Sequence, residues 1–268
     1  MATMRDKLIV GRYLPYDSFI HRLDPRSKLL GTIFFVVIVF FANNWVTYGI
    51  LSAFVLYAIA LSKLPFKQFI NGVKPMLTLF IFTAAIQMLT TSGRTSYFSW
   101  GVISISKEGI ELGIFVFLRF VLILFISLLL TLSTQAIQLT DAIEFFLHPL
   151  TYLGISVHEP ALMLSIAMRF VPTLFEEAET IMNAQRARGM DFDEGTVIDK
   201  LRKLVPLLIP LFNSSFDRAM DLATAMEARD YRGGEPRTKY RKFDWAVWDT
   251  LTILGFGLLF VLILLLRV

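Results

Sequence analysis

Cysteine is absent from this chain of 268 residues, and histidine occurs only three times. Without cysteine the chain can form no disulfide, zinc–thiolate site, iron–sulfur cluster or cysteine nucleophile. The histidines, His21, His148 and His158, are far apart and lack the spacing of paired metal ligands. We therefore expect no metal site and no cofactor.

Charged residues are also scarce. They make up 18% of the chain, whereas hydrophobic residues make up 55%. Soluble domains contain about 25% charged residues and are less than half apolar, so this composition excludes an ordinary soluble protein. No GxxxxGKS or GxxxxGKT motif occurs, which argues against ATP binding at a P-loop in this chain.

Five apolar stretches are candidates for membrane spans, because a bilayer core of about 30 Å needs about 20 apolar residues in a helix. They cover residues 29–42, 45–61, 75–89, 109–132 and 245–266. Only Asn43 and Asn44 separate the first two stretches, which predicts a tight helical hairpin. Arg119 interrupts the fourth stretch. The predicted fold class is an all-α membrane protein with about five transmembrane helices and long amphipathic cytoplasmic helices.

The basic residues predict an orientation, because short cytoplasmic loops are enriched in lysine and arginine. Six of them precede the first span, and none lies in the Asn43–Asn44 turn: Arg5, Lys7, Arg12, Arg22, Arg26 and Lys28. We therefore predict a cell-membrane protein with a cytoplasmic N-terminus and an external C-terminus. The chain divides into a cytoplasmic N-terminal segment (1–28), four spans (29–134), a cytoplasmic helical domain (135–242) and a last span (243–268).

Two long amphipathic helices are predicted in the cytoplasmic domain, at residues 158–188 and 196–229, after a shorter interfacial helix at 139–153. Residues 158–242 carry thirteen basic and thirteen acidic side chains, more than half of all the charges in the chain. At about 1.5 Å per residue, each long helix would extend about 45–50 Å. Such helices are long enough to leave the membrane and reach a partner.

Both long helices end alike, with Ala187-Arg188-Gly189 and Ala228-Arg229-Asp230. A cation at a helix C-terminus complements the helix macrodipole, and this explains one such ending. Two matching endings on consecutive helices favour a second role. A long planar guanidinium beside a small alanine is suited to entering a cleft of another protein and binding carboxylates or carbonyls there.

Three further segments, together with these endings, resemble the transmembrane T component of energy-coupling factor transporters. The first is YDSFIHRLDPRSK at residues 16–28, which contains Asp24, Pro25 and Arg26. The others are LRF at 118–120, around Arg119, and RFVPTLFEE at 169–177, which begins with Arg169. The resemblance covers nearly the whole chain. One departure is that Asp230 stands where the family pattern has glycine.

The resemblance implies a non-catalytic scaffold in an importer of vitamins or micronutrients. Two cytoplasmic ATP-binding-cassette ATPases would bind the two arginine endings and hydrolyse ATP. A separate small membrane protein, the S component, would capture the substrate, and the resemblance leaves open whether several S components share one scaffold. Membrane lipid is the other expected partner, and nucleic acid is not expected.

Two other function classes stay open from the residues alone. A self-contained secondary transporter would use the intramembrane Arg119, but neither an internal repeat of spans nor an intramembrane carboxylate supports it. A membrane-embedded hydrolase would use Glu176, Glu177 and His158, although the two glutamates also fit the solvated face of a helix. Arg119 and the Asp24–Arg26 turn each allow either a structural role or contact with a partner. The structural role of the turn would include an N-terminal cap on the first span by Asp24.

Overall fold

A computed structural model describes residues 13–91, 96–100, 103–149, 158–192, 194–231, 233 and 244–267. Three of the basic residues used to predict the orientation, Arg5, Lys7 and Arg12, lie outside the described residues. The end of the predicted helix 139–153 also lies outside them. The described secondary structure is helical, as the composition and periodicity predicted, apart from one antiparallel β-hairpin that was not predicted. It forms two compact units, Met1–Ala142 with Lys242–Val268 (the membrane unit) and Ile143–Arg241 (the second unit).

The elements follow in chain order. They are α1 (Phe19–Arg22), α2 (Pro25–Phe41), α3 (Trp45–Ser62), α4 (Phe66–Thr90), β1 (Ser96–Trp100), β2 (Ile103–Ser106), α5 (Lys107–Ser133), α6 (Ala136–Leu147), α7 (His158–Ala187), α8 (Val197–Glu227) and α9 (Val247–Leu266). The β-hairpin pairs Trp100 with Ile103 and connects α4 to α5.

Four helices of the described chain, α3, α4, α5 and α9, are long and apolar enough to cross a membrane. The first predicted span is α2, which has 17 residues and is therefore about 26 Å long. Phe35, Ile38 and Val39 of α2 are at most 2% exposed, because α5 and α9 pack against this helix. One face of α2 is thus buried in the bundle, whereas Ile33 and Phe40 on the other face are exposed. The helix is short for a span.

The third span begins earlier than predicted. Helix α4 starts at Phe66, nine residues before the predicted start, and Pro75 lies inside it. Its packing partner α5 approaches closely at Gly113, where an added Cβ would lie 2.9 Å from the carbonyl oxygen of Ala84. Small residues at such positions let membrane helices approach each other at backbone distance. The packing of α4 on α5 therefore depends on the absence of a side chain at Gly113.

The second unit contains the two long helices that the periodicity predicted. Helices α7 and α8 have 30 and 31 residues and pack against each other. Pro172 lies inside α7, and Pro206 and Pro210 lie inside α8. Among the described residues of this unit, Met182 is the one buried hydrophobic side chain. Two helices alone cannot enclose a core, so most of their apolar side chains stay exposed.

Candidate functional site

The two arginine endings have the same backbone structure. At the first, the Met190 N–H donates to the Gln185 carbonyl at 3.0 Å, and at the second, the Tyr231 N–H donates to the Met226 carbonyl at 3.0 Å. Such a bond, from the residue after a left-handed position to a carbonyl five residues earlier, is the mark of a Schellman cap at the end of a helix. The Gly189 and Asp230 N–H groups also donate to equivalent carbonyls, those of Arg186 and Glu227, both at 2.9 Å, and the Arg188 N–H differs from the Arg229 N–H only by a further bond to the Ala184 carbonyl.

The Schellman cap requires one residue in the left-handed conformation, and the two endings place it at equivalent positions. Gly189 has φ +88° and Asp230 has φ +56°. Glycine adopts this conformation without steric cost, and aspartate is one of the few other residues that do so with any frequency. The departure from the family pattern at Asp230 therefore preserves the shape of the cap.

Both arginines are exposed to solvent, as are Ala187 and Ala228 beside them. Within the described part of the chain, neither guanidinium makes a hydrogen bond or ion pair with another residue. Nothing lies within 4 Å of the position that a Cβ on Gly189 would occupy. Each ending thus presents an arginine and a small neighbour at the tip of a helix. We name residues 187–189 and 228–230 the first and second tips.

The loop after the first tip is attached to the start of α8. The Lys203 ammonium donates to the carbonyls of Asp191, at 2.5 Å, and Glu194, at 2.8 Å. Thr196 and Asp199 form a capping box at the start of α8, and Thr196 lowers the pKa of the Asp199 carboxyl by hydrogen bonding to it. These contacts attach the loop to α8 and so restrain the backbone that follows the first tip.

Helix α8 carries an exposed apolar stripe. Its members recur every three or four residues, which places them on one face of the helix. They are 49% to 69% exposed: Ile198, Leu201, Val205, Leu208, Phe212, Phe216 and Met220. A continuous stripe of this kind indicates a surface that packs against another protein or a membrane.

The predicted acid pair on α7 has a structural partner. Arg218 of α8 donates from Nη2 to Oε2 of Glu177 at 2.8 Å. This ion pair joins the two long helices. Arg169, another predicted site residue, is exposed on α7. His158, at the start of α7, is nineteen residues before Glu177, so the hydrolase interpretation brings no acid and base together on one turn. No cluster of three potential metal ligands occurs among the described residues.

Arg119 is held by aromatic side chains of the membrane unit. Its Nη2 donates to the Tyr48 hydroxyl at 3.0 Å, and its Cζ lies 5.1 Å from the centre of the Phe40 ring. Its Nε is buried and has no hydrogen-bond partner among the described residues. Tyr48 in turn stacks on Phe115 with 4.8 Å between ring centres. These contacts support the structural role for Arg119, and they join α5 to α2 and α3.

The N-terminal motif is built around a carboxylate that the sequence did not single out. Asp249, at the start of α9, is 1% exposed. Its Oδ1 accepts from the Asp24 N–H at 2.8 Å and from the Ser27 hydroxyl at 2.7 Å. Asp24 caps α2 by accepting from the Arg26 N–H at 2.8 Å, as predicted. The last span is therefore bonded directly to the start of α2.

Lys28 of the same motif reaches α5. Its ammonium donates to the carbonyls of His21 and Ser133, both at 3.2 Å. Ser133 ends α5, so the cation lies at the negative end of that helix, where it is stabilising. The motif thus joins the ends of α2, α5 and α9. It acts as a junction between helices, and Pro25 at the first position of α2 fits the same structural role.

The pKa values around α1 reflect burial and one exposed ion pair. Hydrogen bonding to Arg22 lowers the pKa of the Asp17 carboxyl. Burial lowers the pKa of His21 and raises that of Asp24. The His21 Nε2 lies 3.0 Å from the Leu14 carbonyl and so must donate to it. In the neutral ring Nδ1 then accepts from the Ser18 hydroxyl, at 2.6 Å.

An apolar cavity of about 310 Å³ lies in the membrane unit beside Lys28. Its walls are mainly aliphatic and aromatic side chains from five helices, among them Phe54, Tyr57, Leu129 and Trp248. Such walls offer few groups that could bind a polar micronutrient. This cavity is therefore poorly suited to a polar substrate.

Comparison with known proteins gives one consistent result. Residues 17–240 match the family of cobalt transport proteins, CbiQ. The chain is 52% identical over 249 residues to the energy-coupling factor transporter transmembrane protein EcfT of Streptococcus equi subsp. equi, with 93% of each chain covered. Proteins of the same name from Lacticaseibacillus paracasei and Lactococcus lactis subsp. cremoris are also similar. The first is 50% identical over 262 residues, covering 98% of this chain and 99% of the relative. The second is 48% identical over 258 residues, covering 96% and 97%.

Proposed function

The chain belongs to the family of energy-coupling factor transporter transmembrane proteins, and from this premise we propose that it links two cytoplasmic ABC ATPases to a substrate-capturing S component. As a T component it is a membrane subunit of a transporter. The observation that carries the proposal is the pair of exposed arginine tips with one backbone geometry. Two equivalent tips provide one docking element for each of two ATPases.

Each tip would enter a groove on one ATPase. The arginine would donate to carboxylates or carbonyls there, since a guanidinium offers a planar fork of donors. The alanine before it adds little bulk, so the backbone of the tip could approach the partner closely. The ATPases would hydrolyse ATP, and this chain would carry no catalytic group.

Transmission would follow from the stiffness of α7 and α8. Closing of the ATPases on nucleotide would move the two tips, and the helices would pass that movement to the exposed stripe on α8. We assign the stripe to contact with the S component, because an apolar helix face needs cover from water or lipid headgroups. Movement of the stripe would reorient the S component in the membrane.

The orientation proposed for this cycle places the N-terminus and the second unit in the cytoplasm and the C-terminus outside. The six basic residues that precede the apolar stretch 29–42 support it. The cargo would be a vitamin or another micronutrient captured by the S component. The apolar lining of the cavity in the membrane unit agrees with a substrate pocket that lies in another subunit.

Co-purification tests the proposal. A tag on this chain should recover two ATPases and a small membrane protein from its native membrane. The purified chain alone should neither hydrolyse ATP nor bind vitamin tightly. Intrinsic ATPase activity, or tight substrate binding by the isolated chain, would contradict the proposed role and favour the other transporter or hydrolase classes.

A further inference from the structure

The two long helices share an internal repeat that begins at their ion pair and ends at their tips. Residues 177–190 read EAETIMNAQRARGM, and residues 218–231 read RAMDLATAMEARDY. Alanine recurs at 178 and 219, at 184 and 225, and at 187 and 228, before the tip arginines at 188 and 229. The repeat opens with Glu177 in one helix and with Arg218 in the other, and these two residues bind each other.

The ion pair is equally far from both tips. Glu177 precedes Arg188 by eleven residues, and Arg218 precedes Arg229 by eleven residues. Eleven helical residues rise about 16 Å and complete about three full turns. Each tip arginine therefore lies about 16 Å along its helix from the Glu177–Arg218 ion pair. It also lies on nearly the same helix face as the residue that forms the ion pair.

The two segments between the ion pair and the tips contain no helix-breaking residue. There is no proline or glycine in 178–187 or in 219–228. The prolines of these helices all precede the ion-pair residues: Pro172 precedes Glu177, and Pro206 and Pro210 precede Arg218. Bends in these helices are expected at prolines, so the tip segments should behave as rigid arms. With both arms about 16 Å long and the axes 8–10 Å apart, the tips can be at most roughly 35 Å apart.

We propose that Glu177 and Arg218 are positioning residues that form a pivot and set the distance and rotation of the two tips. This inference rests on the proposed docking of the tips and adds how their spacing is controlled. Sliding or rotation of α7 against α8 would break the bond and would displace Arg188 and Arg229 together. The side chains of Glu177 and Arg218 are 20% and 38% exposed, so the pair contributes little to stability and its loss should leave the fold intact.

Distance measurement between the arms tests the pivot. The chain has no cysteine, so Ala184→Cys with Ala225→Cys introduces spin labels at two exposed and equivalent positions of the repeat. Pulsed electron resonance on the full chain in lipid nanodiscs should give one narrow distance distribution. Glu177→Gln or Arg218→Met should broaden it at least twofold. Arg218→Lys, and the reversed pair Glu177→Arg with Arg218→Glu, should restore most of the narrow distribution.

Asp221→Asn is the matched control, because it removes an exposed charge one turn from Arg218 and should leave the distribution unchanged. In the assembled transporter, Glu177→Gln should still recover both ATPases, while uptake per ATP hydrolysed should fall several-fold. If Glu177→Gln and Arg218→Met leave the spin-label distance distribution unchanged, the pivot is overturned even if the tips bind the ATPases. Failure of the tips to bind ATPases would instead refute the proposed function, with the distance result unaffected.

Discussion

Asp249→Ala should separate the last span from the start of α2. The substitution removes the acceptor of the Asp24 N–H and of the Ser27 hydroxyl, both inside the protein. Asp24 is 5% exposed and Ser27 is fully buried, so water cannot readily replace the lost carboxylate. The change therefore tests whether this buried carboxylate stabilises the junction of the membrane unit.

The expected loss can be worked out from these bonds. The Ser27 hydroxyl has a second acceptor, the Asp24 carbonyl at 2.8 Å, so it can keep one hydrogen bond. The Asp24 N–H has no such alternative and would be buried without a partner. An unsatisfied buried donor costs about 1–3 kcal/mol, and a lost bond to a charged group adds a comparable amount. We expect the free energy of unfolding to fall by about 3 kcal/mol.

Asp199→Ala is the matched control. Asp199 occupies the third position of α8, as Asp249 does in α9, and each accepts a backbone N–H three residues earlier. Asp199 lies on the surface and bonds only locally, so its loss should cost about 1 kcal/mol. Titration of mixed micelles with denaturing detergent, followed by far-ultraviolet circular dichroism, measures both variants, since both units are helical. Equal losses would refute the reasoning, because they would show that the bonds to α2 contribute nothing.

Three more predictions concern stability and are read in the same titration. Gly113→Ala should destabilise the chain by about 1–3 kcal/mol, because its Cβ would clash with the Ala84 carbonyl oxygen. Gly49→Ala is the control, because its Cβ would have nothing within 4 Å, and equal effects of the two would contradict the close approach of α4 and α5. Tyr48→Phe should cost about 1–3 kcal/mol by removing the acceptor of Arg119, and a neutral effect would contradict that contact. Burial lowers the pKa of His21 below its ordinary 6.5, so the neutral ring stabilises the fold above about pH 6.5, and this contribution should be lost as pH falls through the lowered pKa; His21→Gln should remove that part of the pH dependence.

Local patterns predicted much of the fold. The periodicity of apolar residues located α7 and α8 to within two residues of their bounds, and the glycine after Arg188 indicated where the first helix ends. Asp24 before Pro25 indicated a helix cap, which the hydrogen bond to the Arg26 N–H confirms. These signals succeed because capping and periodicity depend on residues a few positions apart in the chain.

Two features of the membrane unit were missed for identifiable reasons. The third span was predicted to begin at residue 75, yet α4 begins at Phe66 and continues through Pro75. The strands β1 and β2 were not predicted, although the alternation Ile-Ser-Ile-Ser at 103–106 is typical of a strand. At Pro75 the packing of α4 on α5 outweighs the local helix-breaking tendency of proline, whereas at 103–106 the alternation is itself a strand signal that was not used.

The candidate site was predicted at its ends but not at its centre. The tips are visible as repeated Ala-Arg pairs. The bond between Glu177 and Arg218 joins residues 41 positions apart, and that between Asp24 and Asp249 joins residues 225 positions apart. No single-sequence pattern pairs residues over such distances. The helix that carries Asp249 was predicted, but the partner of its carboxylate follows only from the three-dimensional packing.

The central claim is that the two tips bind the ATPases, and recovery of ATPases on a tagged double variant tests it most directly. Arg188→Ala with Arg229→Ala should abolish recovery of both ATPases, while the chain still inserts in the membrane and keeps the S component. Arg186→Ala, an exposed arginine two residues before the first tip arginine, should leave recovery unchanged. Full recovery of both ATPases with the double variant would contradict the account.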